Sequence, residues 1–295
     1  MISVAITTYN HEHYISQAID SVLCQKCDTS IEIVISDDCS TDGTSDICIQ
    51  YAKKYPDKVV YIRNTTNVGL LENYRQLFNR CSGDYIAWLD GDDYWCDDEK
   101  LQKQMKVLES GSYKMCCSDK YVEKNRIIYI SPFWTLDTLS DLLSKGNSIC
   151  TPTVLCSRNL IDRYIDGVVY VAKQRKWKTV DFGIWANILH DMPKSIYFMN
   201  DYTAVYRIVD GSGSHGNSKE KAYQWDACVC DMMHYYYHLY EQRSMDVVSY
   251  IFHLRKRMIL DYRWMAREQI WPLLKLITYY PMIFYRSIVR KMKKS

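Results

Sequence analysis

The stretch 84-DYIAWLDGDDYW-95 decides how this chain is read. An apolar run, Tyr85 to Leu89, stops abruptly at three carboxylates, Asp90, Asp92 and Asp93, with Trp88 and Trp95 on either side. A short apolar run bounded by polar residues reads as a strand buried on both faces. Carboxylates this close raise one another's pKa unless a cation intervenes. Two readings fit the spacing. The acids can be hard oxygen ligands for Mg²⁺ or Mn²⁺, shared with a phosphate-bearing ligand. They can equally be a solvated acidic loop favouring the N-terminus of the next helix, as Asp97 and Asp98 do in either case.

Working outward, the same pattern recurs upstream. Residues 2–8 (ISVAITT), 31–38 (IEIVISDD) and 59–64 (VVYIRN) read as buried strands. Between them the spacing of Ala18, Ile19, Val22 and Leu23 predicts a helix, with Ser16 at its start. A second helix is expected after a cap at Ser40 or Thr41, a third closed by Gly83, and a fourth closed by Gly111. Strands alternating with helices over the first 110 residues indicate an α/β, doubly wound, mostly parallel sheet. Ligands in such sheets sit outside the carboxyl ends of the strands. Thr7 to Asn10, Asp37-Asp38 and Asp90 to Asp93 therefore fall on one edge and are expected to share one pocket.

The bulk numbers narrow the class. The 295 residues carry a formal net charge of +2, so no global field points to nucleic acid. Twelve cysteines precede no second C-x-x-C partner for Cys24 and Cys27, and the N-terminus lacks the basic start of an export leader. Reduced thiols in a cytoplasmic protein are the expectation. No window reaches the 18 uncharged apolar residues of a membrane span, since Lys275 and two prolines interrupt residues 271–285. Beyond residue 112 the pattern loosens into short strands, a helix stopped by Gly146, a helix at residues 180–191, a strand at 195–208 and a Gly/Ser-rich loop at 209–221. From Ala222 onward the periodicity is helical.

Four segments together carry a family resemblance: VAITTYNHEHYISQAIDSVLCQ, EIVISDDCSTDGT, NVGLLENYRQLFNRCSGDYIAWLDGDDYW and KLQKQ. In this order they resemble the N-terminal half of glycosyltransferase family 2. The resemblance is dense over residues 2–110 and thin to about residue 215. It implies a GT-A fold, a UDP-sugar donor, and a catalytic domain over residues 1–215, with nucleotide-sugar binding in 1–110 and the acceptor side in 111–215. Thr8, Tyr9 and Asn10 would border the nucleotide, and Asp38 would accept the uracil N–H. Asp90-Gly91-Asp92 would be the D-x-D motif, with Asp90 near the ribose, Asp92 on a Mn²⁺ or Mg²⁺ ion, and Asp93 able to share either task. A threonine, Thr7, and a cysteine, Cys39, stand where members more often have proline and glycine, and these departures touch turn geometry rather than ligating groups. The Arg-Asn pair common after the NVG turn is absent, though Asn73 and Arg75 lie nearby.

Inverting transfer needs a base for the acceptor hydroxyl, and a carboxylate of raised pKa suits that step. TVDFGIWANIL resembles the family's acid-containing motif, which implies Asp181 as the base, with Val180 where a second acid often stands; the other reading of Asp181 is a cap on its helix. YRIVDGSGSHG resembles a later Tyr-Arg element, so Arg207 would reach the diphosphate and His215 could complete the metal shell or simply lie in solvent. Residues 216–295 are expected to be helical. In them, aromatic residues 271–285 lead into Arg286, Arg290, Lys291, Lys293 and Lys294, a pattern that fits a membrane surface as well as a solvated helix end. A lipid-linked saccharide acceptor would suit a protein lying peripherally on the inner face of the membrane. Nucleotidyl transfer is disfavoured, because TTYNHEHY lacks a Gly-rich loop with a basic residue. A non-catalytic sugar-nucleotide-binding protein is the alternative.

Overall fold

The computed structural model describes residues 1–209, 218–242 and 244–280. His215 and the cationic run from Arg286 lie outside these residues. Strand β1 (Ile2–Thr8) is buried along its whole length and leads into α1 (Ile15–Leu23). Then come β2 (Ile31–Asp37), α2 (Thr44–Lys54), β3 (Val59–Arg63), α3 (Leu70–Arg80) and β4 (Tyr85–Asp90). The four strands are parallel in the order β3-β2-β1-β4. Ile2, Val4 and Ile6 pack with Ile33, Ile35 and Leu89, and α1 closes this core with Ile15, Ile19 and Val22. Each such side chain contributes about 1.5–3 kcal/mol on full burial.

The register sets the site. Thr8 pairs with Asp37, and Thr7 with Asp90, so the polar ends of β1, β2 and β4 lie along one edge.

The second half of the sheet is mixed. It comprises β5 (Tyr94–Trp95), α4 (Lys100–Glu109), β6 (Met115–Lys124), β7 (Ile127–Ile130), α5 (Leu139–Lys145), a 3₁₀ turn at Thr151–Thr153, β8 (Leu155–Ser157), α6 (Arg158–Arg175), α7 (Asp181–Asp191) and β9 (Ile196–Ile208). β8 runs antiparallel between β4 and β6, and β5 pairs antiparallel with β9. β9 runs parallel to β6, with α6 and α7 supplying the long crossover that parallel neighbours need. The pairing of β5 with β9 places Tyr94 opposite Val205, which brings the chain just past the acidic turn beside Arg207.

Three local expectations need correction. α1 starts at Ile15 with Tyr14 in the cap position, so Ser16 lies inside the helix. α2 starts at Thr44 after Gly43, whereas Ser40 gives its N–H to Asp37 Oδ1 at 2.9 Å. Gly83 does not close α3, which already ends at an extended Cys81. Its role is close approach: a Cβ there would stand 2.6 Å from the Ser3 nitrogen and 2.8 Å from the Met1 carbonyl oxygen. Gly83→Ala is therefore expected to destabilise the protein by about 1–3 kcal/mol, read as a lower urea midpoint with an unchanged slope. Gly111 and Gly146 take φ of +76° and +85° and stop their helices as anticipated.

The chain divides into two compact units. Met1–Thr138 and Ser148–Val209 form one; the other takes Leu139–Asn147 and the described residues from 218 onward. In the second unit, α5 packs on α9 (Met245–Tyr262), which also packs on α8 (Lys219–Leu239) through Met232, Met233, Val248 and Ile251 among the buried residues. A 3₁₀ segment, Arg263–Gln269, leads to α10 (Ile270–Tyr279), which buries none of its side chains. No described helix is long and apolar enough to cross a membrane.

Candidate active site

The ends of β1 and β2 are stitched together by the chain itself. Asp38 N–H donates to the Thr8 carbonyl at 2.9 Å, and Asn10 Oδ1 accepts the Thr41 N–H at 2.8 Å. Asn10 sits at φ 56° and Cys39 at φ 63°. Cysteine thus carries a left-handed turn conformation that glycine adopts more readily. Tyr9 projects outward, 43% exposed, where a planar ligand can meet its ring.

Asp37 and Asp38 do different work. Asp37 is wholly buried and accepts from Ser40, Ser45 and Tyr61, so it braces the framework. The Asp38 carboxylate accepts the Val68 N–H at 2.8 Å, the Gly69 N–H at 2.9 Å and Asn64 Nδ2 at 3.0 Å. It holds the NVG turn ahead of α3. Asn73 is likewise inside the framework, bonded to Ser36 and Asn64, while Arg75 pairs with Glu72.

The acidic turn after β4 is more strained electrostatically. Asp90 accepts from Thr7 at 2.7 Å, from the Tyr74 hydroxyl, and from Thr151 at 3.1 Å. Burial pushes the Asp92 carboxyl above the usual range, nearby Asp90 adds to this, and His11 opposes it. Burial pushes Asp93 well above that range, with Asp92 and Asp90 adding. One oxygen of Asp93 accepts the Arg207 N–H at 2.7 Å; the other is buried without a partner.

Arg207 is clamped over this turn. It donates to the Asp92 carbonyl at 2.8 Å, to Gln17 at 2.5 Å and to Glu123 at 3.2 Å, and lies 4.4 Å from the Tyr94 ring centroid. In this conformation the guanidinium is taken up in holding the turn.

Asp181 opens α7 and accepts from the Thr179 hydroxyl. Burial raises its pKa above the usual carboxylate value; the Thr179 and Phe182 hydrogen bonds oppose the shift, and Asp90 adds to it. α7 is anchored to β4 by Trp185 against Trp88, ring centroids 5.3 Å apart. Asp90, Asp93 and Asp181 all push up the thiol pKa of Cys150, whose burial is the main cause of that shift. The three carboxylates thus surround one locality, contributed by β4, the turn after it and α7. Asp38 lies two strands away, about 10 Å across the sheet edge.

A divalent cation fits this donor set as a shared ion. No three described His, Cys, Asp or Glu side chains are grouped to hold a metal by themselves. Mg²⁺-like ions are commonly held by one or two carboxylates plus substrate phosphates. Asp92 has 16% of its side chain exposed, and the mutual repulsion of the turn would be relieved by positive charge. Tyr74, Thr151 and His11 are the site neighbours that sequence reading missed. Their contacts to residues 90 and 92 come only from tertiary packing.

The sequence profile of Glycosyl transferase family 2 matches residues 3–154. The chain belongs to this family. Among curated relatives of this glycosyltransferase family 2 chain, the uncharacterized protein Rv1520 of Mycobacterium tuberculosis is 34% identical over 53% of this chain. The chain spans about half the length of that relative, 47%. The putative teichuronic acid biosynthesis glycosyltransferase TuaG of Bacillus subtilis is 29% identical, covering 76% of this chain and 86% of its own. WfaP of Escherichia coli, named as a UDP-Glc:alpha-D-GlcNAc-diphosphoundecaprenol beta-1,3-glucosyltransferase, is 29% identical over 75% of this chain and 82% of its own. The family thus includes relatives named for polysaccharide assembly. S. aureus TarS 1-349 in complex with UDP shares the GT-A fold at TM-score 0.58 and 16% identity, covering 95% of this chain and 91% of that one. Mannosyltransferase PcManGT of Pyrobaculum calidifontis, in complex with GDP-Man and Mn2+, superposes at TM-score 0.53 and 15% identity, over 100% of this chain and 80% of that one.

Proposed function

We propose that this chain is an inverting, metal-dependent glycosyltransferase. It moves a hexose or N-acetylhexosamine from a UDP-sugar to a saccharide or lipid-linked saccharide in the assembly of a surface polysaccharide. The observation that carries this reading is the placement of Asp181 near Asp90 of the acidic turn, partly buried and with its pKa raised by burial. That arrangement separates a proton acceptor from a cluster suited to a departing diphosphate.

In the reaction, Asp181 takes the proton from the acceptor hydroxyl as its oxygen attacks the anomeric carbon, and the bond to UDP breaks on the opposite face. Asp92 would hold a Mn²⁺ or Mg²⁺ ion, which would supply charge neutralisation to the diphosphate. Asp90, locked by Thr7 and Tyr74, orients the turn and borders the ribose. Asp93 and Arg207 secure the same turn. Thr8, Tyr9, Asn10 and Asp38 border the nucleoside. Residues 1–110 hold the donor and residues 111–215 the acceptor side. The UDP bound in TarS and the UDP-Glc in the name of WfaP support the choice of uridine nucleotide. A screen of UDP-hexoses and UDP-N-acetylhexosamines for UDP release tests the reading. Release from at least one donor is expected. Metal-dependent UDP binding without turnover of any donor, even as slow hydrolysis, would assign a sugar-nucleotide-binding protein instead.

In this reading the enzyme lies peripherally at the inner face of the membrane, a reading supported by the exposed apolar residues of α10. Trp271 and Tyr279 on α10 are 69% and 74% exposed, and Ile270 and Leu274 are exposed beside them. Cations follow in sequence from Arg286, each worth about 1 kcal/mol near anionic lipid. Deleting residues 271–295 is expected to move the protein from the membrane fraction to the soluble one; unchanged partitioning would remove the membrane assignment.

A further inference from the structure

His11 is not accounted for by the roles above. It sits in the turn between β1 and α1, and its Nε2 lies 4.0 Å from Asp92 Oδ2. That gap is too long for a hydrogen bond. It is short enough to be spanned by one ion, since two ligands each about 2.1 Å from a metal can stand up to about 4.2 Å apart. A closing movement of about 1 Å would bring the pair to the roughly 3 Å separation of adjacent ligands in an octahedral shell. The backbone holds the histidine there: His11 N–H donates to Thr44 Oγ1 at 2.8 Å, while its carbonyl accepts the N–H groups of Tyr14 and Ile15, both at 2.9 Å.

A second observation points to a ligand at this spot. Thr8 is 2% exposed, and its hydroxyl is buried with no hydrogen-bond partner. The buried Nδ1 of His11 also has none. Both atoms lie 2.8 Å from the position a Cβ on Gly91 would fill. Gly91 keeps that ground open, directly before Asp92. Ligating histidines use their second ring nitrogen to bond an outer partner, and both His11 Nδ1 and the Thr8 hydroxyl border the ground that Gly91 leaves open.

We infer that His11 Nε2 and Asp92 are the paired protein ligands of the catalytic cation, making its site a mixed nitrogen–oxygen one. This rests on the metal-dependent reading of the preceding section. An imidazole ligand favours Mn²⁺ over Mg²⁺, because Mg²⁺ prefers oxygen donors and keeps its waters.

The test is electron spin-echo spectroscopy of Mn²⁺ bound to the full chain with UDP. Modulation from a directly coordinated ¹⁴N is expected in the unmodified protein. In His11→Gln that modulation should vanish at an unchanged thermal midpoint, with Mn²⁺ affinity in the presence of UDP about tenfold or more weaker and the preference for Mn²⁺ over Mg²⁺ reduced. His11→Asn serves if the glutamine variant does not fold. Bound Mn²⁺ without ¹⁴N modulation, or modulation that survives in the variant, overturns the ligand assignment while leaving the proposed reaction intact. Failure of the unmodified protein to bind Mn²⁺ with UDP at all overturns both.

Discussion

Asp181→Asn is expected to lower kcat by about 10²–10⁴-fold, the range a positioned general base supplies, while leaving UDP affinity nearly unchanged. The substitution keeps the shape of the side chain and its hydrogen bond from Thr179, but removes the group that accepts the proton. Because Asp181 belongs to α7 and the nucleoside groups to the ends of β1 and β2 and the turns after them, binding and chemistry separate in one variant. The pH dependence follows from the same site. Burial raises the Asp181 pKa above that of an ordinary carboxylate, so the active, deprotonated form is lost at a higher pH than for an exposed aspartate. The acid limb of kcat in the unmodified enzyme should therefore lie above the ordinary carboxylate value and disappear in the asparagine variant. Normal turnover by Asp181→Asn would move the base elsewhere.

Asp92→Asn should act on the other half of the machinery. The gain in UDP affinity on adding Mn²⁺, read by calorimetry, is expected to fall at least tenfold, about 1.4 kcal/mol. Outer partners of metal ligands already produce losses of about 10–100-fold. Folding gives an internal check. Asp92 raises the pKa of Asp93, which means its charge opposes a second charge close by. Removing it relieves repulsion, so the variant should unfold at the same temperature or higher. Lost affinity in a protein that is no less stable is then a ligand effect. An undiminished Mn²⁺-dependent gain would remove Asp92 from the cation.

The first four strands were legible in the sequence because each is a near-continuous apolar run ending in polar residues. A parallel sheet covered on both faces imposes that pattern. The strand-end clusters were legible for the same reason: once the strands are parallel, their ends share an edge. α6 was not read. Its buried Leu160, Ile161, Tyr164, Ile165, Val168 and Val169 have helical spacing, but Val168-Val169-Tyr170-Val171 taken locally favours a strand. Tertiary packing against α3 decided for the helix. The resemblance points Arg207 toward the diphosphate, whereas its donors are turned toward Gln17, Asp92 and Glu123; nothing local in YRI reports partners 84 to 190 residues away. The start of α2 lies later than the sequence suggests because Ser40, expected to cap, instead gives its N–H to Asp37 Oδ1 and accepts the Asn10 N–H, thirty residues away.

Anomalous diffraction from crystals grown with UDP and Mn²⁺ probes the shared cation directly. One manganese peak is expected, within about 2.2 Å of an Asp92 oxygen and in contact with the UDP diphosphate. Ordered UDP at the ends of β1 and β2 with no manganese beside Asp92 would contradict the convergence of acidic residues on a single ion.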